Sequence, residues 1–298
     1  MTGILCMDKP KGMTSFLAVR RVRGILGIKK VGHTGTLDPM ATGVLPIALS
    51  GATRFISLLP THKKIYEARV ELGKTTDTLD ITGNVLSESA VSVSEAEIRS
   101  AAESFLGKSL QLPPMYSAKL QNGVRLYDLA RQGVEVEREK AEIEIYALEV
   151  FDVTEKEFSM RVSCSAGTYI RSLADDIGQK LGCGAVLTAL RRVEANGFSL
   201  ENAVTLEELE ALRDKGKLEK AILPLETCLE AYPALTVTEA QATRFHNGGD
   251  LLKNRLQNFE GTGYFRVYAP NGTFLGLGES IEAEESLREK RVYVGETE

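Results

Sequence analysis

The chain has 298 residues, 43% of them hydrophobic, with 36 Lys and Arg against 41 Asp and Glu and a formal net charge of −5. This length and apolar content suit one large core plus a smaller module, and the acidic balance excludes a nonspecific DNA-coating protein and a uniformly polybasic membrane surface. Cys6, Cys164, Cys183 and Cys228 are far apart without a CxxC pair, and no segment approaches the roughly 18 apolar residues of a membrane span, which predicts buried thiols in a reducing, cytoplasmic setting.

In chain order, ILCM at 4–7 reads as a buried strand entering a Pro/Gly turn, and Ser15 is placed to cap a helix over FLAVRRVRGIL that is apolar on one side and basic on the other. The glycines that follow put His33 and Asp38 on a loop before a strand over VLPIALS, 44–50, and an apolar segment ends near Pro60. A strand over YEARVEL, 66–72, leads to a polar, turn-like stretch from Thr75 to Asn84 and then to a capped amphipathic helix over SVSEAEIRSAAESFLG. PPMYSAKLQNG reads as a rigid approach to a turn and VRLYDLARQ as helix, before consecutive antiparallel strands over AEIEIYALEVF and EFSMRVSCS. GTYIRSLADDIGQKLG, 167–182, feeds a helix, AVLTALRRVEANGFSL returns to the core, and TLEELEALRD, 205–214, is a short acidic helix. A boundary near Pro224 to Pro233 precedes a small β-rich module with a helix ending in FHNGG and strands over GYFRVYAP and GTFLGLGES.

Between Lys9 and Leu37 lie Lys9, Lys11, Arg20, Arg21, Arg23, Lys29 and Lys30 and no acid, a local positive field that phosphates attract and that a solvated helix face also explains. Asp38, within GHTGTLDPMATGVLP, can act as nucleophile or base or simply form an Asx turn into Pro39. His33 can meet a base or pack in a loop; Tyr66 and Tyr169 offer aromatic faces to a nucleobase or to the core. Arg171 can pair with Asp38 or sit on the surface. GKTTDT at 73–78 ends like a Walker A motif, but Ala68 stands where its leading glycine belongs, and the histidines form no evident metal cluster.

The ordered set DKPKGMTS (8–15), GHTGTLDPMATGVLPIALSGATR (32–54), KKIYEARVELGKTTDTLDITG (63–83), PPMYSAKLQNG (113–123), CSAGTYIRSLADDIG (164–178) and LTALRR (187–192) resembles the bacterial TruB family, the tRNA pseudouridine-55 synthases. The resemblance implies an α/β, mixed-sheet pseudouridine synthase fold over residues 1–230 and a PUA-type RNA-binding domain over 231–298. It implies Asp38 as the essential catalytic aspartate, with Tyr66 and Arg171 as catalytic partners. His33 and Leu190 then become substrate-binding, and Lys9, Tyr169, Arg191 and Arg192 contact RNA or support the site. The implied reaction isomerises uridine at position 55 in the T stem-loop of tRNA without metal or cofactor, with the terminal domain holding the acceptor end. A sequence showing no coiled coil or separate assembly segment is expected to act as a monomer.

Two departures bear on affinity. This chain reads SAKL, with Lys119 before Leu120, where many relatives read SAxK, and Ala166 stands where a lysine is common. A noncatalytic RNA-binding protein and a Mg-dependent RNA hydrolase are the competing classes.

Overall fold

The computed structural model describes residues 1–293 except 118, 122, 135 and 258. Parts of the PPMYSAKLQNG turn and the last residues of the expected 231–298 module therefore lie outside the described residues. The first part of the chain forms β1 (Gly3–Lys9), α1 (Ser15–Leu26), β2 (Val31–His33), β3 (Thr42–Leu49), β4 (Lys64–Leu72), β5 (Lys74–Thr76), β6 (Val85–Glu88), α2 (Glu95–Glu103) and β7 (Gly107–Gln111). A small hairpin of β8 (Leu120–Gln121) and β9 (Val124–Arg125) leads into α3 (Leu126–Arg131), β10 (Ala141–Phe151), β11 (Glu157–Cys164), α4 (Ile170–Leu181), β12 (Ala185–Ala195), β13 (Phe198–Ser199), α5 (Leu206–Asp214) and β14 (Ile222–Leu223). The remainder holds β15 (Ala234–Thr236), α6 (Glu239–His246), β16 (Leu251–Leu252), β17 (Gly263–Tyr268), β18 (Phe274–Ser280) and β19 (Ser286–Val292).

The large sheet runs β14-β1-β3-β12-β4-β11-β10-β7, with β2 on β3 and β13 on β12. It is mixed because β12 lies parallel to β3 and antiparallel to β4. Strand periodicity sorts its side chains. Leu5 and Met7 of β1 and Leu45, Ile47 and Leu49 of β3 face a core shared with α1, α2, α4 and α5, whereas Ile4, Cys6, Val44 and Ala48 face the other side. There they meet Phe55, Leu225 and Leu229 together with Phe274 and Leu277 of β18, so the five-stranded sheet β15-β17-β18-β19-β16 is fastened to the back of the large one. Phe55, Tyr268, Phe274 and Tyr293 form the aromatic centre of that contact, with ring centroids 5.4–6.4 Å apart.

Two local expectations need correction. The cap of α1 is Thr14, whose extended backbone lets its side chain accept from Leu17 N; Ser15 is already helical and turns inward. His33 is the last residue of a short strand, because β2 pairs with β3 through Val31–Leu49 and His33–Ile47, so only Asp38 lies on the loop proper.

Candidate active site

The loop carrying Asp38 is held from several sides. Ser15 Oγ accepts from Leu37 N at 2.8 Å and donates to Leu37 O at 3.0 Å, while Gly12 N donates to Pro39 O at 2.7 Å. Arg192, fully buried, donates to Val44 O at 2.7 Å, Gly35 O at 3.1 Å and Thr36 O at 3.4 Å. Farther along, Thr34 Oγ1 donates to Asn196 Oδ1 at 2.7 Å. A loop whose backbone groups are this fully engaged presents its carboxylate in one place.

Arg171, in the first turn of α4, is the hub beneath it. Its Nε lies 2.9 Å from Asp38 Oδ2 and its Nη2 3.1 Å from Asp38 Oδ1, a two-point grip that fixes the carboxylate plane. The remaining donors reach Tyr116 O at 2.8 Å and Thr78 O at 2.9 Å, and Nη1 lies 3.5 Å from Asp80 Oδ2. Asp80 is itself enclosed, accepting from Thr78 Oγ1 and Thr82 N. The position of α4 is set by Gln111, which exchanges two bonds with the Tyr169 backbone, at 2.8 Å from Tyr169 N and 3.0 Å to Tyr169 O.

Above Asp38 opens a cavity of about 230 Å³, whose walls include Lys64, Tyr66, Ser117, Tyr169, Arg171 and Leu190. That is below the roughly 300–1,000 Å³ of drug-sized sites. Asp38 keeps 32% of its side chain open to this space, while Arg171 keeps 4%. Enclosure raises the Asp38 carboxyl above its ordinary value, the adjacent Arg171 draws it down, and Asp80 pushes it up again, leaving a net upward shift. Burial also pushes the Tyr66 phenol up, against the pull of Arg192, so it stays protonated at neutral pH. Burial and the neighbouring Arg192 bring the Lys64 ammonium down to about 8.

The other predicted residues divide sharply. Lys9 is completely buried and donates to Pro10 O at 2.8 Å and Met13 O at 2.7 Å; with Arg192 spent on the Asp38 loop, neither presents a cation to a ligand. Of the two roles expected for them, RNA contact or support of the site, these contacts fit support: Lys9 is held by backbone carbonyls, and Arg192 by carbonyls and by Tyr66. Arg191 stands outside the cavity, 2.7 Å from Asp8 Oδ2. His33 lies beside Arg192 and Lys64, which with burial lower its pKa, and its Nδ1 is buried without a hydrogen-bond partner among the described residues. Lys119 reaches the cavity mouth and donates to Glu139 O at 3.4 Å, and Ala166 lines a separate groove of about 610 Å³. Among the described residues no three His, Cys, Asp or Glu side chains converge as metal ligands, and no helix is long and apolar enough to cross a membrane.

Residues 23–170 match the N-terminal domain of the TruB family pseudouridylate synthases, and residues 171–230 match the tRNA pseudouridylate synthase B C-terminal domain. Residues 233–293 match the C-terminal region of pseudouridine synthase II TruB. The chain belongs to the TruB family. The tRNA pseudouridine synthase B of Clostridium perfringens (strain ATCC 13124) is 46% identical over 286 residues, covering 95% of this chain and 96% of the relative. That of Azoarcus sp. (strain BH72) is 45% identical over 299 residues, covering 99% and 96%. Among solved structures, a Cbf5-Nop10-Gar1 complex matches with a TM-score of 0.75 at 27% identity, covering 98% of this chain and 85% of that one. An H/ACA RNP bound to a substrate RNA containing 2′-deoxyuridine matches with a TM-score of 0.73 at 26% identity, covering 98% and 85%. This TruB-family chain is thus a pseudouridine synthase, an isomerase, and the fold read from its motifs is the one it adopts.

Several residues in or just beneath its cavity carry no signal in a single sequence. Lys64 reads as one more charge in KKIYEARV, Asp80 as one of several acids in a polar turn, and Ser117 as a small loop residue. Only the alternation of β4 could have placed Lys64 on the Tyr66 face, two residues away.

Proposed function

We propose that this TruB-family enzyme converts the uridine at position 55 in the T stem-loop of tRNA to pseudouridine, with Asp38 as the nucleophile. The observation that carries the reading is the two-point Arg171 grip on Asp38 at the base of a nucleoside-sized cavity walled by Tyr66 and Leu190. The target leaves its stack, since a carboxylate cannot reach a paired and stacked nucleotide. Asp38 then forms a transient bond to the ribose or uracil, the N1–C1′ bond breaks, the uracil turns, and C5 joins C1′ as the bond to Asp38 is released and its carboxylate restored. The proton lost from C5 is balanced by one gained at N1, so the product is an isomer. The Tyr66 phenol, which burial holds protonated in the free enzyme, stacks on the base and positions the proton-transfer network around it. Leu190 closes the cavity against water, which keeps the detached uracil from escaping.

The proposal extends to a PUA-type RNA-binding module over 231–298 that holds the acceptor stem, joined to a catalytic domain over 1–230, in a cytoplasmic monomer. The outward face of α1 and the turn before it support phosphate binding: Arg20, Arg21 and Arg23 of α1 and Lys11 of the turn are exposed and make no ion pair among the described residues. Tyr169 is assigned to the bound RNA from its place in the cavity wall, and His33, beside Lys64 and Arg192, and Arg191, outside the cavity on Asp8, are assigned to it by the family resemblance.

Unmodified tRNA incubated with the wild-type enzyme or Asp38→Ala, with pseudouridine mapped by a chemical adduct read in sequencing, tests this directly. A T-loop signal with wild type that vanishes in the variant while RNA binding survives is expected; equal modification by both removes Asp38 from the nucleophile's role. A pH series adds an independent check. Only ionised Asp38 attacks, and its carboxyl is raised above 3.8, so kcat/KM should fall on acidification with a midpoint above the ordinary carboxylate range. A flat profile down to pH 4 would contradict it.

A further inference from the structure

Ser117 stands out in the cavity wall. Its residue is 4% exposed, it lines the same cavity as Asp38, Tyr66 and Leu190, and its hydroxyl is buried without a hydrogen-bond partner among the described residues. An enclosed hydroxyl normally finds a partner, because water lost on burial is otherwise not replaced. The backbone around it is nonetheless firmly placed. Tyr127 N donates to Ser117 O at 3.1 Å, Ser117 N donates to Met115 O at 2.9 Å, and the preceding carbonyl, Tyr116 O, accepts from Arg171 Nη2 at 2.8 Å. The arginine that aims Asp38 therefore also fixes the segment that carries this unpaired hydroxyl.

We infer that the Ser117 hydroxyl is a hydrogen-bond partner of the extruded uridine and orients it over Asp38. The inference rests on the functional reading above and adds a specific contact to it. A hydroxyl both donates and accepts, so it can meet a uracil carbonyl, the N3–H edge or the ribose 2′-hydroxyl without any change of protonation. Its value is greatest where water is excluded and where the partner arrives already positioned. The free enzyme stores the cost of the unpaired group, and the target uridine relieves it on entering.

The test uses the full chain with a T stem-loop RNA, comparing wild type with Ser117→Ala under single-turnover conditions and in thermal unfolding. If the hydroxyl is unpaired in the free enzyme, the alanine variant unfolds at the same or a higher temperature, while kcat/KM falls about tenfold, the worth of one net hydrogen bond. RNAs carrying 2-thiouridine, 4-thiouridine, N3-methyluridine or 2′-deoxyuridine at the target then locate the contact: for one of them the ratio of wild-type to variant rates should shrink toward one. The inference is overturned if the variant matches wild type on ordinary uridine, if the ratio is the same for every analogue, or if the variant loses thermal stability as a structural hydroxyl would require. Failure of wild type itself to modify the ordinary RNA would instead remove the functional reading, and this contact with it.

Discussion

Arg171→Lys is expected to lower kcat for pseudouridine formation by about a hundredfold or more, in the range for loss of a positioned charge partner, with KM for RNA changed far less. Lysine keeps the charge but supplies a single ammonium in place of a planar fork. It cannot meet both oxygens of Asp38 while also serving Thr78 O, Tyr116 O and the Asp80 carboxylate. Arg171→Ala goes further, since it leaves the buried Asp80 without its cation and Asp38 facing a like charge. Removing one partner of such a buried pair costs roughly 3–5 kcal/mol of stability. The acid limb of the pH profile should also move upward in both variants, because the group that draws the Asp38 carboxyl down is weakened or gone. Steady-state kinetics across pH with urea unfolding of the same proteins checks all three effects, and unchanged kcat in Arg171→Lys would show that the grip on Asp38 is dispensable.

Gly43→Ala should be among the most damaging single-methyl changes in the fold. Gly43 has φ +101°, where an L side chain is strained, and a Cβ built there would lie 2.2 Å from Arg192 O. Neither neighbour can retreat easily. Gly43 pairs with Lys9 of β1 on one side and in parallel with Arg192 of β12 on the other, and Arg192 in turn anchors Gly35 and Thr36 of the Asp38 loop. Strain and overpacking together predict a loss of roughly 2–5 kcal/mol in chemical denaturation. The remaining folded fraction should modify RNA slowly, since the β3–β12 seam carries the Asp38 loop. A variant within 0.5 kcal/mol of wild type would mean that the seam can open at little cost.

Periodicity made the long elements legible: β1, β3, β4, β10 and β11 and helices α1, α2, α4 and α5 fall where alternation and amphipathic spacing put them. The Asp38 and Arg171 partnership was open to anticipation because the fold motifs accompany both residues, although 133 positions separate them. What a linear reading could not convey is which charges go inside. Lys9 and Arg192 look like surface cations, and only the packing shows that carbonyls of the turns around them absorb their donors. Ser15 was misassigned for a related reason. Thr14 and Ser15 are equally good caps by type, and the choice is decided by a distant backbone group, Leu37, competing for the serine hydroxyl. Lys64 and Ser117 line the cavity, and Asp80 backs Arg171 beneath it, through strand pairing and loop closure, neither of which leaves a local mark in composition.

The aromatic seam joining the two sheets makes the molecule a calliper with fixed jaws. Phe55 and Leu58 on one side and Phe274, Leu277 and Tyr293 on the other bury a common apolar surface, so the terminal module is not a tethered bead that samples many orientations. The entropy of aligning a second gripping surface is then spent when the protein folds, before any RNA arrives. If, as proposed, the terminal module also holds RNA, the substrate is measured against a set span, and a stem too long or too short would satisfy the cavity or the terminal module but not both at once.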